Sequence, residues 1–245
     1  MLKSLCEVQK TFKEDNLATY AVKRIYFTTP CFFIGDWKMN KRCVIFSGAP
    51  ECAEYRPEPG DYVIAADSGY KHLVNAGLLP DLIAGDFDSF EGEIPADIPV
   101  LRVSSIKDDT DTMLAAKHAL EQGYKDFLIL GATGGRLDHQ TANLVLCAYI
   151  AEKGGSCEIR GIFESVYSIK NGTLSLKKRE NRSVSVFSFT DKSCGVSLRG
   201  LKYTLENATL TNIFPLGVSN EFSEERAEIA VKDGILIVIC SQTAH

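Results

Sequence analysis

The 245-residue sequence has no CxxC pair among its eight cysteines, no long basic run and no long uncharged apolar stretch near its start. The cysteine spacing, with several thiols in apolar runs such as CVIF, indicates free thiols in a reducing compartment and disfavours a zinc site or a disulfide framework. A net charge of −5 disfavours nucleic-acid binding through bulk electrostatics, although it leaves room for a local basic pocket for phosphates. The sequence predicts a cytoplasmic globular protein whose partners include neither nucleic acid nor membrane.

Residues 1–38 lack a clear helical or strand period, and they contain neither a membrane span nor a secretory signal. Met39 then begins MNKRCVIFSGAP, a short basic lead followed by a strand-like run, as a natural start would. We therefore expect residues 1–38 to be an N-terminal extension outside the catalytic fold that arises from a choice of start site. The alternative is an additional helix packed on the domain.

Apolar, β-rich runs alternate with helical patterns through the first two-thirds of the chain. The pattern predicts helices over 68–80, 109–123 and 136–154, and strands over 43–48, 62–67, 81–85, 100–104 and 126–132. Strands that alternate with helices imply a parallel sheet with helices on its faces. The fold class is therefore α/β, with an N-terminal Rossmann-like parallel-sheet domain over residues 39–160.

The character of the sequence changes after about residue 157. Short strand-like runs follow one another without a helical period, and the turn dipeptides NG (171–172) and DG (233–234) predict hairpins. Residues 161–245 are thus predicted to form an antiparallel β-sandwich domain, with a barrel as the alternative. The junction has no Gly/Ser linker, so we expect the two domains to pack tightly.

Polar clusters follow four of the five predicted strands of the α/β domain. Ligands of an open parallel sheet bind beyond the carboxyl ends of its strands, so all four clusters are expected at one edge. Each cluster alone has a simpler explanation, namely a helix cap, a solvated turn or a surface arginine. The clusters are Asp67, then Asp86 and Asp88, then Asp108 and Asp111, and finally GATGGRLDHQ (131–140).

Together these clusters suit a divalent metal and a polyphosphate. Carboxylates provide the hard oxygen ligands that Mg²⁺ prefers. Gly134 and Gly135 allow backbone amides to approach phosphates, and Arg136 can grip phosphate oxygens bidentately. The sequence has no GxxxxGK[ST] motif, so a P-loop is excluded.

Five blocks, taken as an ordered set, carry a resemblance to a known family. ADSGY with LLPDLIAGDFDS, KDDTDTMLA, LGATGGRLDH with a following N, GLKY and GVSNEF occur in that order. From about Met39 to the C-terminus, their order and spacing resemble those of thiamine pyrophosphokinase. Each block alone is a weak signal, whereas the set is specific. Residues 1–38 lie outside the resemblance.

The resemblance implies an enzyme that transfers diphosphate from ATP to the hydroxyl of thiamine and gives AMP and thiamine diphosphate, with Mg²⁺. It also implies a homodimer in which thiamine lies between the α/β domain of one subunit and the β domain of the other. The implied residues are Asp67, Asp86, Asp88 and Asp108 for the metal; Asp86, Asp88 and Asp111 for catalysis; Asp108, Thr110, Asp111, Gly134, Gly135, Arg136 and Asp138 for ATP; and Tyr203, Ser219 and Asn220 for thiamine. Tyr203 stands where some relatives have Trp.

Two other functions fit the same residues. An Mg²⁺-dependent phosphohydrolase would also use the DxD pattern, and a sensor would bind nucleotide or thiamine without turnover. The products separate the three hypotheses, because a transferase makes AMP only with an alcohol acceptor, a hydrolase releases phosphate without one, and a sensor makes no product.

Overall fold

The computed structural model describes residues 42–85, 95–102 and 109–243. Its α/β half consists of short strands and three α-helices. In chain order the elements are β1 (Arg42–Phe46), β2 (Tyr62–Ala66), a 3₁₀ turn (Asp67–Gly69), α1 (Tyr70–Asn75), β3 (Leu82–Ala84), β4 (Val100–Leu101), α2 (Asp111–Glu121), β5 (Asp126–Leu130), α3 (Leu137–Glu152) and β6 (Ser156–Arg160). No helix within the described ranges combines the length and the apolar character that crossing a bilayer requires.

The remaining elements are all strands. They are β7 (Glu164–Lys170), β8 (Thr173–Lys177), β9 (Arg182–Ser188), β10 (Lys192–Arg199), β11 (Leu205–Thr211), β12 (Gly217–Glu221), β13 (Arg226–Ala230) and β14 (Ile235–Gln242). The described strands form a ten-stranded sheet, ordered β12-β9-β14-β7-β6-β5-β1-β2-β3-β4, and a four-stranded sheet, ordered β11-β10-β13-β8.

The six strands β6-β5-β1-β2-β3-β4 pair in parallel, which confirms the predicted parallel sheet. Alternate residues of β1 and β5 point to opposite faces, and each face has its own core. Ile45 and Ile129 pack with α2 and α3, whereas Val44 and Leu128 pack with residues around α1. Both faces are therefore covered, as the continuous apolar runs of these strands require.

The second half is an antiparallel sandwich, as predicted. Val184 and Leu236 of the large sheet and Val196 and Ile229 of the small sheet lie in one buried cluster between the two sheets. The large sheet continues without a break from one half to the other, because β6 pairs in parallel with β5 and antiparallel with β7.

The two predicted hairpins are absent, although both turns occur where expected. Strands β7 and β8, on either side of Asn171–Gly172, lie in different sheets, as do β13 and β14 on either side of Asp233–Gly234. The two turns are corners at which the chain crosses the sandwich, and they contact each other, since Gly234 N–H donates to Asn171 Oδ1 at 2.9 Å. Turn dipeptides specify the local backbone shape, whereas the partner of each strand depends on which sheet buries its apolar face.

Candidate active site

The loops that follow β1 and β5 meet at the carboxyl edge of the parallel sheet. Ser47 N–H donates to Leu130 O and Ala49 N–H donates to Gly131 O, both at 2.8 Å. The buried hydroxyls of Ser47 and Thr112 lie 2.8 Å apart, which places the first turn of α2 beside the end of β1. The N-terminus of α2 therefore lies at the same edge.

Two predicted site residues begin α2. Thr110 is its N-cap, and the Thr110 hydroxyl accepts a hydrogen bond from Met113 N–H at 3.2 Å. Asp111 is the first helical residue, a position at which the helix dipole favours a negative charge. Thr110 therefore caps the helix, which is one of the two explanations that the sequence offered for this cluster. Asp111 precedes Thr112, which contacts Ser47, and so it lies near the loops after β1 and β5.

Asp67 follows β2 at the same edge, in an unusual conformation. Its φ is 45°, in the left-handed region that few L residues adopt and that Asp tolerates better than most. Asp67 Oδ1 is buried and has no hydrogen-bond partner among the described residues. A buried carboxylate oxygen without a partner is costly, and strained residues cluster at functional sites.

The end of β3 lies against Asp67. A Cβ built on Gly85 would come 3.3 Å from Asp67 Cα, and one built on Gly48 would come 2.1 Å from Ser68 Oγ. The ends of β1, β2 and β3 are therefore in close contact. The chain leaves Gly85 directly into Asp86 and Asp88, which, like Asp108, lie outside the described residues.

A divalent cation fits this edge. Asp67 offers a buried oxygen that no described residue hydrogen-bonds, of the hard type that Mg²⁺ takes as a ligand. Asp86 directly follows Gly85, which contacts Asp67. Within the described ranges, no three His, Cys, Asp or Glu side chains group closely enough to hold a metal ion.

The glycine-rich turn after β5 completes the edge. Gly134 and Gly135 have φ values of 82° and 72°, and a Cβ on Gly135 would lie 2.9 Å from Pro50 Cδ. Both positions thus need glycine for their backbone, and the second also needs it for the close approach of the loop after β1.

Arg136, the N-cap of α3, forms an exposed fork with Asp138. Its Nη2 lies 2.6 Å from Asp138 Oδ2 and its Nε lies 3.1 Å from Oδ1. The hydrogen bonds from Arg136 lower the pKa of Asp138, and the hydrogen bonds to Asp138 raise the pKa of Arg136. The Arg136 side chain is 73% exposed, so a phosphate can reach its guanidinium from solvent.

A cleft of about 420 Å³ opens beside this turn, between the ends of β5 and β6 and the start of α3. Its walls are largely apolar, including Leu144, Ile159 and Phe163, and its polar groups include Thr133, Gln140 and Glu164. A mostly apolar concave surface with a few polar groups is typical of a small-molecule site.

The three predicted thiamine residues lie together, but far from the carboxyl edge of the parallel strands, at the outermost strand β12 of the ten-stranded sheet. Ser219 and Asn220 belong to β12, and Tyr203 is hydrogen-bonded to Asn220 through its backbone N–H at 3.0 Å. Strand β12 lies seven strands from β2, a path of roughly 34 Å along the sheet at about 4.8 Å per strand. Within the described residues, the structure thus groups Asp67, Thr110, Asp111 and Gly134–Arg136 in one place and Tyr203, Ser219 and Asn220 in another.

The sequence assigned no role to several residues of this edge. Ser47 follows β1, the one strand whose end was given no polar cluster, and the rule applied to the other strands would have found it. Asn143 is buried on α3 and donates to Ala132 O at 2.8 Å, which fixes the loop before Gly134. Glu164 has no local sequence signal, because the cleft arises where strands distant in sequence meet.

A parallel sheet covered by helices, with carboxylates and a glycine-rich turn at its carboxyl edge and a sandwich attached, defines an α/β protein of the class that binds its ligands beyond the carboxyl ends of the strands. The sequence profile of thiamin pyrophosphokinase, catalytic domain, matches residues 57–159, and that of thiamin pyrophosphokinase, vitamin B1 binding domain, matches residues 172–236. Thiamine pyrophosphokinase of Bacillus subtilis (strain 168) is 33% identical over 184 residues, which cover 73% of this chain and 86% of the relative. The chain therefore belongs to the thiamin pyrophosphokinase family.

Solved structures agree with this assignment. The crystal structure of thiamine pyrophosphokinase from Bacillus subtilis superposes with a TM-score of 0.74 at 28% identity, covering 83% of this chain and 100% of that chain. The corresponding protein from Geobacillus thermodenitrificans gives a TM-score of 0.70 at 27% identity, covering 83% and 98%. Both halves of the fold are thus those of known thiamin pyrophosphokinases.

Proposed function

We propose that the protein is a thiamine diphosphokinase that transfers the terminal diphosphate of ATP to the hydroxyl group of thiamine. The observation that carries this function is the family match, which spans both the α/β half and the sandwich. The carboxyl edge supports it, because a buried carboxylate, a helix N-terminus and a glycine-rich turn with an arginine lie there side by side. These groups suit a polyphosphate substrate better than they suit an uncharged one.

The reaction is a displacement at the β-phosphorus of ATP. The hydroxyl oxygen of thiamine forms a bond to this phosphorus while the bond to the oxygen bridging the α- and β-phosphates breaks. AMP leaves, and the hydroxyl proton passes to a carboxylate, for which Asp86, Asp88 and Asp111 are the candidates. Such a transfer depends on positioning and on neutralisation of charge.

The carboxyl edge divides these tasks. Asp67, Asp86, Asp88 and Asp108 would hold Mg²⁺, which supplies positive charge to the phosphate oxygens. Asp108, Thr110, Asp111, Gly134, Gly135, Arg136 and Asp138 would hold ATP. For the phosphates, the exposed guanidinium of Arg136 is the donor best placed, and Asp138 keeps it oriented until phosphate replaces that carboxylate.

The nucleoside of ATP would enter the cleft beside Gly134. The cleft adjoins the turn that would bind the phosphates, and its apolar walls suit a planar base. Glu164 and Gln140 provide acceptors for an exocyclic amino group, so we expect ATP to be preferred over nucleotides whose base lacks one.

Thiamine would bind in the region formed by Tyr203, Ser219 and Asn220 of a second copy of the chain, with the exposed Tyr203 and Ser219 side chains available for contact. These residues and Asp67 lie seven strands apart in one sheet. The two parts of the thiamine site within a single subunit are therefore too far apart to contact the same thiamine molecule. A homodimer in which the β12 edge of one subunit meets the carboxyl edge of its partner completes the site. Thiamine is cationic, and the carboxylates would attract it.

Exposed apolar side chains next to β12 support this homodimer. Ile213 is 88% exposed, and Phe214, Leu216 and Val218 are also exposed. They follow one another in the connection to β12 and its first residues, so they form one apolar segment beside Ser219. Exposed apolar groups clustered in this way are typical of a surface that a partner covers.

We further propose a domain division at 39–160 and 161–245, with residues 1–38 as an extension outside the catalytic fold, and a cytoplasmic location. The family profiles end and begin on either side of residue 160, at 159 and 172. The free thiols expected from the cysteine spacing suit a reducing compartment.

A product assay tests the function. The full chain is incubated with ATP, Mg²⁺ and thiamine, and AMP, ADP, phosphate and thiamine diphosphate are separated. AMP and thiamine diphosphate in equal amounts are expected. Phosphate released without thiamine would establish a hydrolase instead, and bound thiamine without any product would establish a sensor. ADP with thiamine monophosphate would keep the site but contradict diphosphate transfer.

A further inference from the structure

The segment Gly200–Tyr203, which follows β10, runs beside the end of β12. Leu201 forms an isolated antiparallel bridge with Phe222, and Lys202 N–H donates to Glu221 O at 2.9 Å. These contacts are those of a short backbone ladder.

At Tyr203 the ladder is continued by a side chain. Asn220 Oδ1 accepts from Tyr203 N–H at 3.0 Å, and Asn220 Nδ2 donates to Tyr203 O at 2.7 Å. The same Oδ1 accepts from Glu221 N–H at 3.0 Å. Asn220 is only 4% exposed, so its amide is largely committed to the backbone of its neighbours.

A bulge in β12 turns Asn220 inwards. The register against β9 shifts between Gly217 and Asn220, and Ser219 has a φ of 56° with its N–H donating to Ser185 Oγ at 3.0 Å. Bulges of this kind redirect side chains. Here Ser219 is exposed while Asn220, the next residue, is buried.

The Tyr203 side chain is in the opposite situation, because it is 65% exposed although its backbone is held on both sides. Lys202 Nζ lies 5.8 Å from the centroid of its ring and 3.1 Å from Glu221 Oε1. An exposed ring on a fixed backbone loses little conformational freedom when a planar ligand stacks on it.

We propose that Asn220 is a positioning residue that acts on thiamine through Tyr203 and does not itself contact thiamine. This inference rests on the proposed function. Asn220 fixes the place from which the Tyr203 ring stacks on the cationic heteroaromatic ligand, and the exposed Ser219 hydroxyl is the polar group of β12 left to contact that ligand.

A double-mutant cycle tests the inference. Thiamine affinity of the full chain is measured by calorimetry for the wild type, Asn220→Ala, Tyr203→Ala and the double variant. Each single change is expected to weaken binding by about tenfold, and the double variant is expected to bind no more weakly than Tyr203→Ala. KM for ATP should stay unchanged in all four. If the loss of thiamine affinity in the double variant equals the product of the two single losses, the inference is overturned, because Asn220 would then act on thiamine independently of Tyr203.

Two further variants keep the outcome decisive. Asn207→Ala removes another amide of the sandwich, one that bonds to Lys232, and is expected to leave thiamine affinity unchanged even if stability falls. If Asn220→Ala does not fold, Asn220→Asp replaces it, since it keeps both bonds accepted by Oδ1, while its second carboxylate oxygen faces the acceptor Tyr203 O and cannot form that bond. Absence of thiamine binding by the wild type would instead refute the proposed function.

Discussion

Replacing Asp67 with asparagine is expected to stabilise the folded chain while removing its response to Mg²⁺. The reason is the buried Oδ1, which lacks a hydrogen-bond partner among the described residues. Asparagine keeps the shape of the side chain and tolerates a φ of 45°, so the backbone need not change. Removing the charge is expected to raise the free energy of unfolding by about 1 kcal/mol.

Asp61 provides the matched control, because the same substitution there should have the opposite effect. Its side chain is 5% exposed and accepts two hydrogen bonds from Arg42, at 2.9 and 2.8 Å, and one from Tyr55 Oη at 2.7 Å. Asp61→Asn removes the buried charged partner of Arg42, whose side chain is 16% exposed, and leaves only the more exposed carboxylate of Glu58 at 3.1 Å. We expect a loss of about 3 kcal/mol.

Thermal denaturation measures both changes. In EDTA, Asp67→Asn should raise Tm by roughly 3 °C and Asp61→Asn should lower it by roughly 9 °C, at about 3 °C per kcal/mol for a chain of this size. Added Mg²⁺ should raise Tm of the wild type and of Asp61→Asn but not that of Asp67→Asn. The reasoning is refuted if Asp67→Asn is destabilised in EDTA or responds to Mg²⁺ as the wild type does.

The pH dependence of stability provides a second test of the stabilising role of Asp61. Burial raises its pKa, but the hydrogen bonds from Arg42, Glu58 N–H and Tyr55 outweigh burial, so the pKa is lowered overall. Because its pKa is lowered in the folded state, Asp61 contributes fully to the free energy of unfolding above its ordinary pKa of about 4. This contribution is lost as the pH falls through the lowered pKa. The wild type should lose more stability below pH 4 than Asp61→Asn does, and parallel acid profiles would contradict this assignment.

Three further predictions concern the cleft, the loop after β5 and the N-terminus. Glu164→Leu removes the acceptor and is expected to raise KM for ATP about tenfold with KM for thiamine unchanged, while Glu206→Leu, in an exposed pair with Arg199, changes neither constant; an unchanged KM for ATP would remove Glu164 from the nucleoside site. Asn143→Leu is expected to cost about 2 kcal/mol in urea denaturation, because the Ala132 carbonyl loses its buried donor, and full stability would show that water replaces it. Deletion of residues 1–38 should leave Tm and kcat unchanged, and a large fall in Tm would show that the segment packs.

The strands of the parallel half could be predicted from sequence because burial on both faces gives short, continuous apolar runs bounded by turn residues. VIAA and FLIL are runs of this kind. Strand β12 gave no such signal, since Gly217, Ser219 and Asn220 are poor strand formers and the strand exists because β9 pairs with it. The continuity of the large sheet was equally hidden, because pairing between β6 and β7 leaves no local mark.

The site was predictable where it depends on one rule, that ligands lie beyond the carboxyl ends of parallel strands. That rule placed Asp67, Asp111 and the Gly134–Arg136 turn at one edge, where the structure has them. It could not indicate that Asn220 faces inwards, because this depends on the bulge at Ser219. It could not find the cleft either, whose walls come from strands that are more than 70 residues apart in sequence, such as Ile159 and Ile239.

Strand β14 is the last strand of the chain, yet it lies in the interior of the ten-stranded sheet, between β7 and β9. During synthesis, β9 and β12 therefore leave the ribosome before the strand that joins them to the parallel half. Until residues 235–242 emerge, β7 exposes an unpaired edge, and Ser219 and Asn220 have no fixed position relative to the rest of the sheet. Pairing of β14 with β7 and β9 must wait until residues 235–242 have been translated, and truncations before Ile235 should leave an aggregation-prone strand edge in place of a folded sandwich.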